Sequence, residues 1–524
     1  MVLNMPEPEI ITLPAPATKD LNIKVGPPTK SEITQAIIAM KNGKAAGPDG
    51  ITAEMLKADK EFSTDELFDL FTRIWGEEVL PTDWKRGWIV KIPKKGDITD
   101  CNNYRGITLL SVPGKVFCRV LLNRIQATVD NLLRVNQAAY RSGCSTIDMI
   151  FTLQCIIEKC LEYNAELWTV FVDFRKAFDS VHRESLWAIL RHYGIPQKIV
   201  SLIQLLYEGF ECQVLEGDPT EPFAVKSGVR QGCILSPMLF CITIDYLMRK
   251  VSTGKTGIRW TLWSVLEDLD FADDLALVST TKSHAQVKLD KLRLEASHLG
   301  LQLNAKKTEV LAINQAEEDK VLVDDAPLNM IDQFTYLGRV LGRGGSRADY
   351  RRRLQLARKR FAQFSSIWSS RKLKLKLKLQ LFHVLVLSVL LYAAETWALT
   401  DVDELLLARF HRRCLRRILG IYWPNVISNE DLYDQCNTQD LSETLRRRRL
   451  SWLGHVFRMS GGKLPRTALC WNPVGGTRSK GRPMVTWDRR VRKDLTLMDL
   501  SWHEASLLAK DRSRWREITS QNST

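Results

Sequence analysis

Asp273 and Asp274 stand side by side in Leu269-Asp270-Phe271-Ala272-Asp273-Asp274-Leu275-Ala276-Leu277-Val278, a mostly apolar run. Each arm reads as a short, largely buried strand. Two carboxylates left unpaired in such surroundings are costly, so a chain that puts them there turns at that point and uses them. Holding hard cations, which prefer oxygen ligands, is one use. Turn chemistry in a surface hairpin is the other, and the stretch alone leaves both open.

A third carboxylate, Asp173, closes Leu167-Trp168-Thr169-Val170-Phe171-Val172, a β-branched and aromatic run that reads as a buried strand. A helix from about His182 to His192 follows. A strand that delivers a carboxylate at its C-terminal end mounts it on a rigid element. Asp173 could also be a cap or turn residue, although Asp179 is the better cap candidate. Three carboxylates gathered by one sheet can hold two Mg²⁺ ions about 4 Å apart, the arrangement of polymerases and some nucleases.

Other elements can supply the surroundings of such a site. Trp88-Ile89-Val90-Lys91-Ile92 reads as a strand ending in Pro93-Lys94-Lys95-Gly96-Asp97, with Tyr104 to Leu110 as its hairpin partner. Lys91, Lys94, Lys95 and Arg105 around it suit a clamp on a triphosphate or nucleic-acid backbone, or equally a solvated edge strand. In Ser227-Gly228-Val229-Arg230-Gln231-Gly232-Cys233, the glycines allow close approach to a flat partner such as a base pair, and Gln231 can hydrogen-bond an edge. Plain capping of the helix that follows, to about Lys250, explains the loop as well.

Periodicity predicts further helices over 31–41, 52–58, 65–78, 113–133, 145–163 and 283–299, the last ended by Gly300. A hairpin is expected over 211–226, and strands over 301–311 and 334–338. Beyond Arg343 the pattern is helical over 347–368, 372–392, 402–420, 441–458 and 502–515. Lys372 to Leu379 alternates with strand period, but no breaker follows it. The Pro-rich residues 1–30 look like a linker, and Gly475 to Pro483 reads as a mobile tail.

Charge is unevenly placed. The chain of 524 residues carries a formal +15. Arg343 to Thr524 holds 36 Lys+Arg against 16 Asp+Glu, or +20, and the first 342 residues hold 39 against 44, or −5. A near-neutral body with a basic final third suggests a catalytic core and an extension that grips a polyanion. The 11 Cys show no CxxC spacing and read as reduced intracellular thiols. No secretion signal is expected at Met1-Val2-Leu3-Asn4, and no membrane span, the Leu379–Ala394 run being too short. The expected location is nuclear or cytoplasmic.

In order, the stretches 42–50, 92–123, 137–145, 171–181, 228–240, 271–278, 299–307 and 334–338 resemble the reverse transcriptase of non-LTR (LINE-type) retrotransposons. The resemblance implies an α+β, right-hand polymerase fold: fingers and an antiparallel-sheet palm over 31–342 and an α-helical thumb over 343–460, with a basic helical C-terminal segment over 461–524. It implies an RNA-directed DNA polymerase that extends a DNA primer or target 3′ end on an RNA template from deoxynucleoside triphosphates. Asp173, Asp273 and Asp274 would ligate two Mg²⁺, with Mn²⁺ an alternative. Phe178 would be a sugar gate that clashes with a 2′-hydroxyl. Gln231 and Gly232 would line the nascent base pair, Lys94 and Arg105 would contact the triphosphate, and Lys307 would be an acid for pyrophosphate.

Only a short linker precedes the fingers, so the N-terminal endonuclease common in this branch is expected to be missing. Cys414, Cys436, His455 and Cys470 are too widely spaced for a zinc knuckle. The rival readings are an element remnant that binds nucleic acid without polymerising, and a group II intron maturase-like protein.

Overall fold

The computed structural model describes residues 4–94, 97, 99–315, 320–478 and 484–521. Lys95 and Gly96 of the expected basic turn, and residues 479–483 of the expected mobile tail, lie outside these.

The central sheet runs in the order Asn329–Ile331, Glu309–Ile313, Leu167–Val172, Asp274–Ser279, Asp268–Phe271. Leu167–Val172 is buried at every residue and is antiparallel to both neighbours. Its side chains alternate between two apolar cores, as a period of two requires. Trp168, Val170 and Val172 join the core that includes the helices Ser236–Val251 and Lys282–Ser297. Leu167 and Phe171 join the core on the other face, with the helix Thr146–Glu162.

The second sheet pairs Arg86–Pro93 with Tyr104–Leu109 as the expected antiparallel hairpin, and Arg86–Ile89 runs parallel to Glu211–Val214. It stands on the first core. A third core holds Gly345–Gln363, the helical stretch from Leu375 to Leu390, Asp401–Leu419 and Asn429–Cys436. The Lys-Leu alternation is therefore helical from Leu375 onward, three residues later than expected. Along the chain the two sheets interleave, Glu211–Glu216 of the second following Leu167–Val172 of the first, and the helices of the third core come after both.

Several local expectations change. The first helix is Lys30–Ala39, capped by Thr29 rather than begun by Ser31, because Thr29 and Glu32 exchange side-chain bonds in a capping box. The helices Gln197–Leu205, Leu464–Cys470 and Trp487–Thr496 were not expected, and the last predicted helix is two, Trp502–Leu508 and Arg512–Gln521. Residues 4–29 contain no helix or strand, yet they are tied down. Leu21 N–H bonds the Gly194 carbonyl at 2.7 Å, and Trp75 Nε1 bonds the Val25 carbonyl at 2.7 Å. Among the described residues no helix is long and apolar enough to cross a membrane.

Candidate active site

Two antiparallel pairings bring the three carboxylates together. Asp274 pairs with Phe271, which leaves Ala272 and Asp273 as a two-residue turn, with Ala272 at φ 57°. Leu275 pairs with Val172, so the next step of the same register sets Asp274 opposite Asp173. The hairpin tip thus reaches the C-terminal end of the central strand. The turn is fastened by Gln137, whose Oε1 accepts the Ala272 N–H at 3.1 Å and the Ala139 N–H at 3.0 Å. Asp173 is fastened by the turn before Glu309–Ile313. Asn304 donates from Nδ2 to Asp173 Oδ2 at 2.9 Å and from its backbone to the Asp173 carbonyl at 2.8 Å.

Electrostatics show how close the group is. Burial, and then the charges of Asp273 and Asp173, push Asp274 up to about 6. Burial and Asp173 also raise Asp273, while Arg105 pulls it the other way. Like carboxylates that raise one another favour a proton or a cation between them. The donors are all oxygen, the set a hard divalent ion prefers. Among the described residues no three His, Cys, Asp or Glu side chains stand gathered closely enough to cage an ion. The three carboxylates are therefore neighbours in charge without forming a closed cage.

A second cluster forms around Asp179. Gln231 Nε2 donates to Asp179 Oδ1 at 2.9 Å, and the Gln231 carbonyl accepts the Thr108 N–H at 2.7 Å. The Lys94 charge also reaches Asp179, which burial raises. Phe178 lies flat against Phe240, with centroids 4.3 Å apart and planes 15° off parallel. Gly232 has φ 117°, and a Cβ there would meet the Thr108 carbonyl oxygen at 2.3 Å; one on Gly228 would meet Asp179 Cα at 2.5 Å. Each glycine permits a close approach to the chain's own backbone. Arg230 beside them is buried, stacked on Tyr207 and Phe210. Lys307 is exposed in the turn whose Asn304 holds Asp173.

Sequence reasoning missed two features. Tyr140, at φ 56°, lies within electrostatic reach of Asp273, Asp274 and Arg105. Beneath the hairpin, Arg134 binds three buried carboxylates: Asp268 at 2.7 Å, Asp270 at 2.6 Å and Asp245 at 3.2 Å. Asp268 and Asp270 are the signal that could have revealed it, since acids inside a buried strand demand a cation.

Residues 92–341 match the family model described as reverse transcriptase (RNA-dependent DNA polymerase). Residues 92–341 form a reverse transcriptase domain. Reverse transcriptases generally work with divalent metal ions, and the relatives this chain resembles include proteins of retrotransposable elements. The chain is 28% identical over 257 residues to the transposon TX1 uncharacterized 149 kDa protein of Xenopus laevis, covering 48% of this chain and 20% of that protein. Against the retrovirus-related Pol polyprotein of the type-2 retrotransposable element R2DM of Drosophila melanogaster it is 29% identical, over 56% of this chain and 28% of the relative. Likeness to the Pol polyprotein of the type-1 element R2 of Popillia japonica, at 28%, covers 76% of this chain and 56% of the relative. The chain thus spans a fifth to a little over half the length of these relatives. Asp173, Asp273, Asp274, Phe178, Gln231, Gly232, Arg105 and Lys307 all fall inside the reverse transcriptase domain, as does Lys94.

Proposed function

We propose that this chain is an RNA-directed DNA polymerase that extends a DNA 3′ end on an RNA template, drawing on deoxynucleoside triphosphates. The observation that carries the reading is the meeting of Asp173 with the Asp273–Asp274 turn at one end of the palm sheet, inside a reverse transcriptase domain. Asp173, Asp273 and Asp274 would hold two Mg²⁺ ions. The chemistry such a pair supplies when bound is activation of the primer hydroxyl and neutralisation of the leaving pyrophosphate.

The chain's own residues do the rest. Asn304 and Gln137 fix the two backbones that carry the carboxylates, so that ligands are oriented before substrate arrives. Arg105, whose charge reaches Asp273, and Lys94, whose charge reaches Asp179, would meet triphosphate oxygens. Gln231 and Gly232, docked on Thr108, form the floor under the new base pair. Phe178, braced by Phe240, faces the sugar and disfavours a 2′-hydroxyl. Lys307 stands as a proton donor toward pyrophosphate. Residues 343–460 act as the thumb on the template–primer duplex, and residues 461–524 extend the basic surface.

Primer extension tests this. Purified protein with poly(rA)/oligo(dT), Mg²⁺ and dTTP extends the primer, and Asp273→Ala abolishes extension. Extension that survives the substitution removes the assignment. Tight RNA binding with no extension under any divalent ion would instead favour the binding-only reading.

A further inference from the structure

Helix Leu441–Arg458 has a cavity on each of two sides, and both are lined by Arg447 and Arg448. One, of about 860 Å³, lies between this helix and Arg512–Gln521, and Arg458, Arg512 and Arg516 complete its basic wall. The other, of about 480 Å³, lies against the thumb helices and is lined by His383 and His411. None of the active-site residues lines either one.

The charge in these walls is compensated only in part, by Glu395, which lines the first cavity. Of the five arginines, Arg448 alone has a carboxylate partner among the described residues, Glu395 at 3.5 Å. Their neighbour Arg449 shows the contrast, paired at 2.7 Å with both Glu404 and Asp494. Burial and the Arg512 charge hold Arg458 below the usual arginine range, the mark of cations crowded without an anion.

Unmet donors point the same way. Trp452, 8% exposed, lines the first cavity, and its indole N–H has no partner. His411, 1% exposed, lines the second, and neither ring nitrogen has a partner. Buried polar groups are nearly always satisfied, so two such orphans beside one cationic ridge ask for a ligand with acceptors at both.

We infer that Arg447, Arg448, Arg458, Arg512 and Arg516 form an anchoring site for the phosphodiester backbone of a polynucleotide strand, running across Leu441–Arg458 from one cavity to the other and separate from the catalytic cleft. A single phosphate would satisfy one cavity. Two cavities joined by shared arginines suit a strand whose charges repeat. This rests on the polymerase reading for its biological sense but not for its chemistry.

The test is equilibrium binding of fluorescent 30-nucleotide RNA and DNA strands to the full chain over 50–300 mM KCl. In Arg447→Gln/Arg512→Gln/Arg516→Gln, three exposed positions, affinity falls about 10- to 100-fold near 0.15 M salt, and the slope of log K against log salt shrinks by about 2 to 3, one increment per lost phosphate contact. The Arg→Lys triple keeps most of the slope. Circular dichroism and the thermal midpoint report whether each variant is folded. Loss on RNA alone identifies the strand as RNA-type, loss on both as either. Unchanged affinity and slope in the folded Gln triple, for both strands, overturns the inference. The Asp273→Ala chain is run beside it: it keeps the binding and slope, so failure of the polymerase reading does not count against the anchor.

Discussion

Phe178 rests face to face on Phe240, and on the proposed function this ring faces the sugar. Removing the ring opens the space for a 2′-hydroxyl. Phe178→Ala is expected to raise ribonucleotide use relative to deoxynucleotide use at least tenfold, about 1.4 kcal/mol in relative transition-state binding, read as the ratio of kcat/KM for UTP and dTTP. An unchanged ratio would remove the gate. Gly232 makes a different demand. Its φ of 117° and the 2.3 Å approach to the Thr108 oxygen leave no place for a methyl group. Gly232→Ala forces the loop off the Tyr104–Leu109 strand. Both the thermal midpoint and kcat should drop, whereas Gly461→Ala, where a Cβ meets nothing within 4 Å, should leave them in place.

At the scale of elements, the catalytic hairpin stands on Arg134. Asp270 is held well above the usual carboxylate range by burial and by the Asp268 charge, with the Arg134 charge pulling it down. Burial works against Asp268, and the Arg134 charge holds it ionised. Arg134→Met leaves Asp268 and Asp270 without their cation, Asp245 keeping Arg249 at 2.7 Å, and should cost about 3–5 kcal/mol in urea unfolding. Adding Asp268→Asn should recover part of that loss, and no recovery would mean the two do not act as a pair.

Helix Thr146–Glu162 meets Trp487–Thr496 through Glu158, whose Oε2 accepts the Trp487 N–H at 2.9 Å. Burial pushes Glu158 up to about 7 from 4.5. The folded chain therefore holds a proton that the unfolded chain has lost between those values. Stability from this group is highest below about pH 4.5, falls as pH rises towards 7, and is lowest above it. Glu158→Gln should raise the thermal midpoint at pH 8 and leave it nearly unchanged at pH 4.5. A midpoint difference with the reverse pH order would show that Glu158 is ionised when folded.

Over the whole molecule, the far face of the palm is closed by the C-terminal helices. Phe151 is gripped edge-on by Trp487 at 4.7 Å and Trp452 at 5.6 Å. Helix Leu441–Arg458 gives Leu441 and Leu445 to the thumb core and Leu450, Trp452, Leu453 and Val456 to the palm-face core. It ties the two together, so the final third is more than a basic appendage. Trp487→Ala should cost about 3–5 kcal/mol. A chain cut after Gly342 exposes that palm face and should aggregate, where the full chain stays in solution. Light scattering of the two purified forms decides it.

The amino-acid order by itself pointed to the carboxylate cluster and to the elements that carry it. Asp173 at the end of a β-branched and aromatic strand and Asp273–Asp274 between two largely apolar arms are local patterns, and local patterns survive without a fold. So did the fingers hairpin, the helical final third and its charge. Tertiary structure alone decided what depends on contacts between distant residues. Arg134 lies 111 residues from Asp245 and 136 from Asp270, a pairing that no spacing rule can reveal. The glycines of 228–232 were legible as points of close approach, but which surface approaches them was not, because any backbone or base satisfies the same sterics. The basic final third showed its charge in sequence. Which arginines are spent on Glu404 and Asp494, and which stay unpaired beside Trp452 and His411, was fixed only when the helices packed.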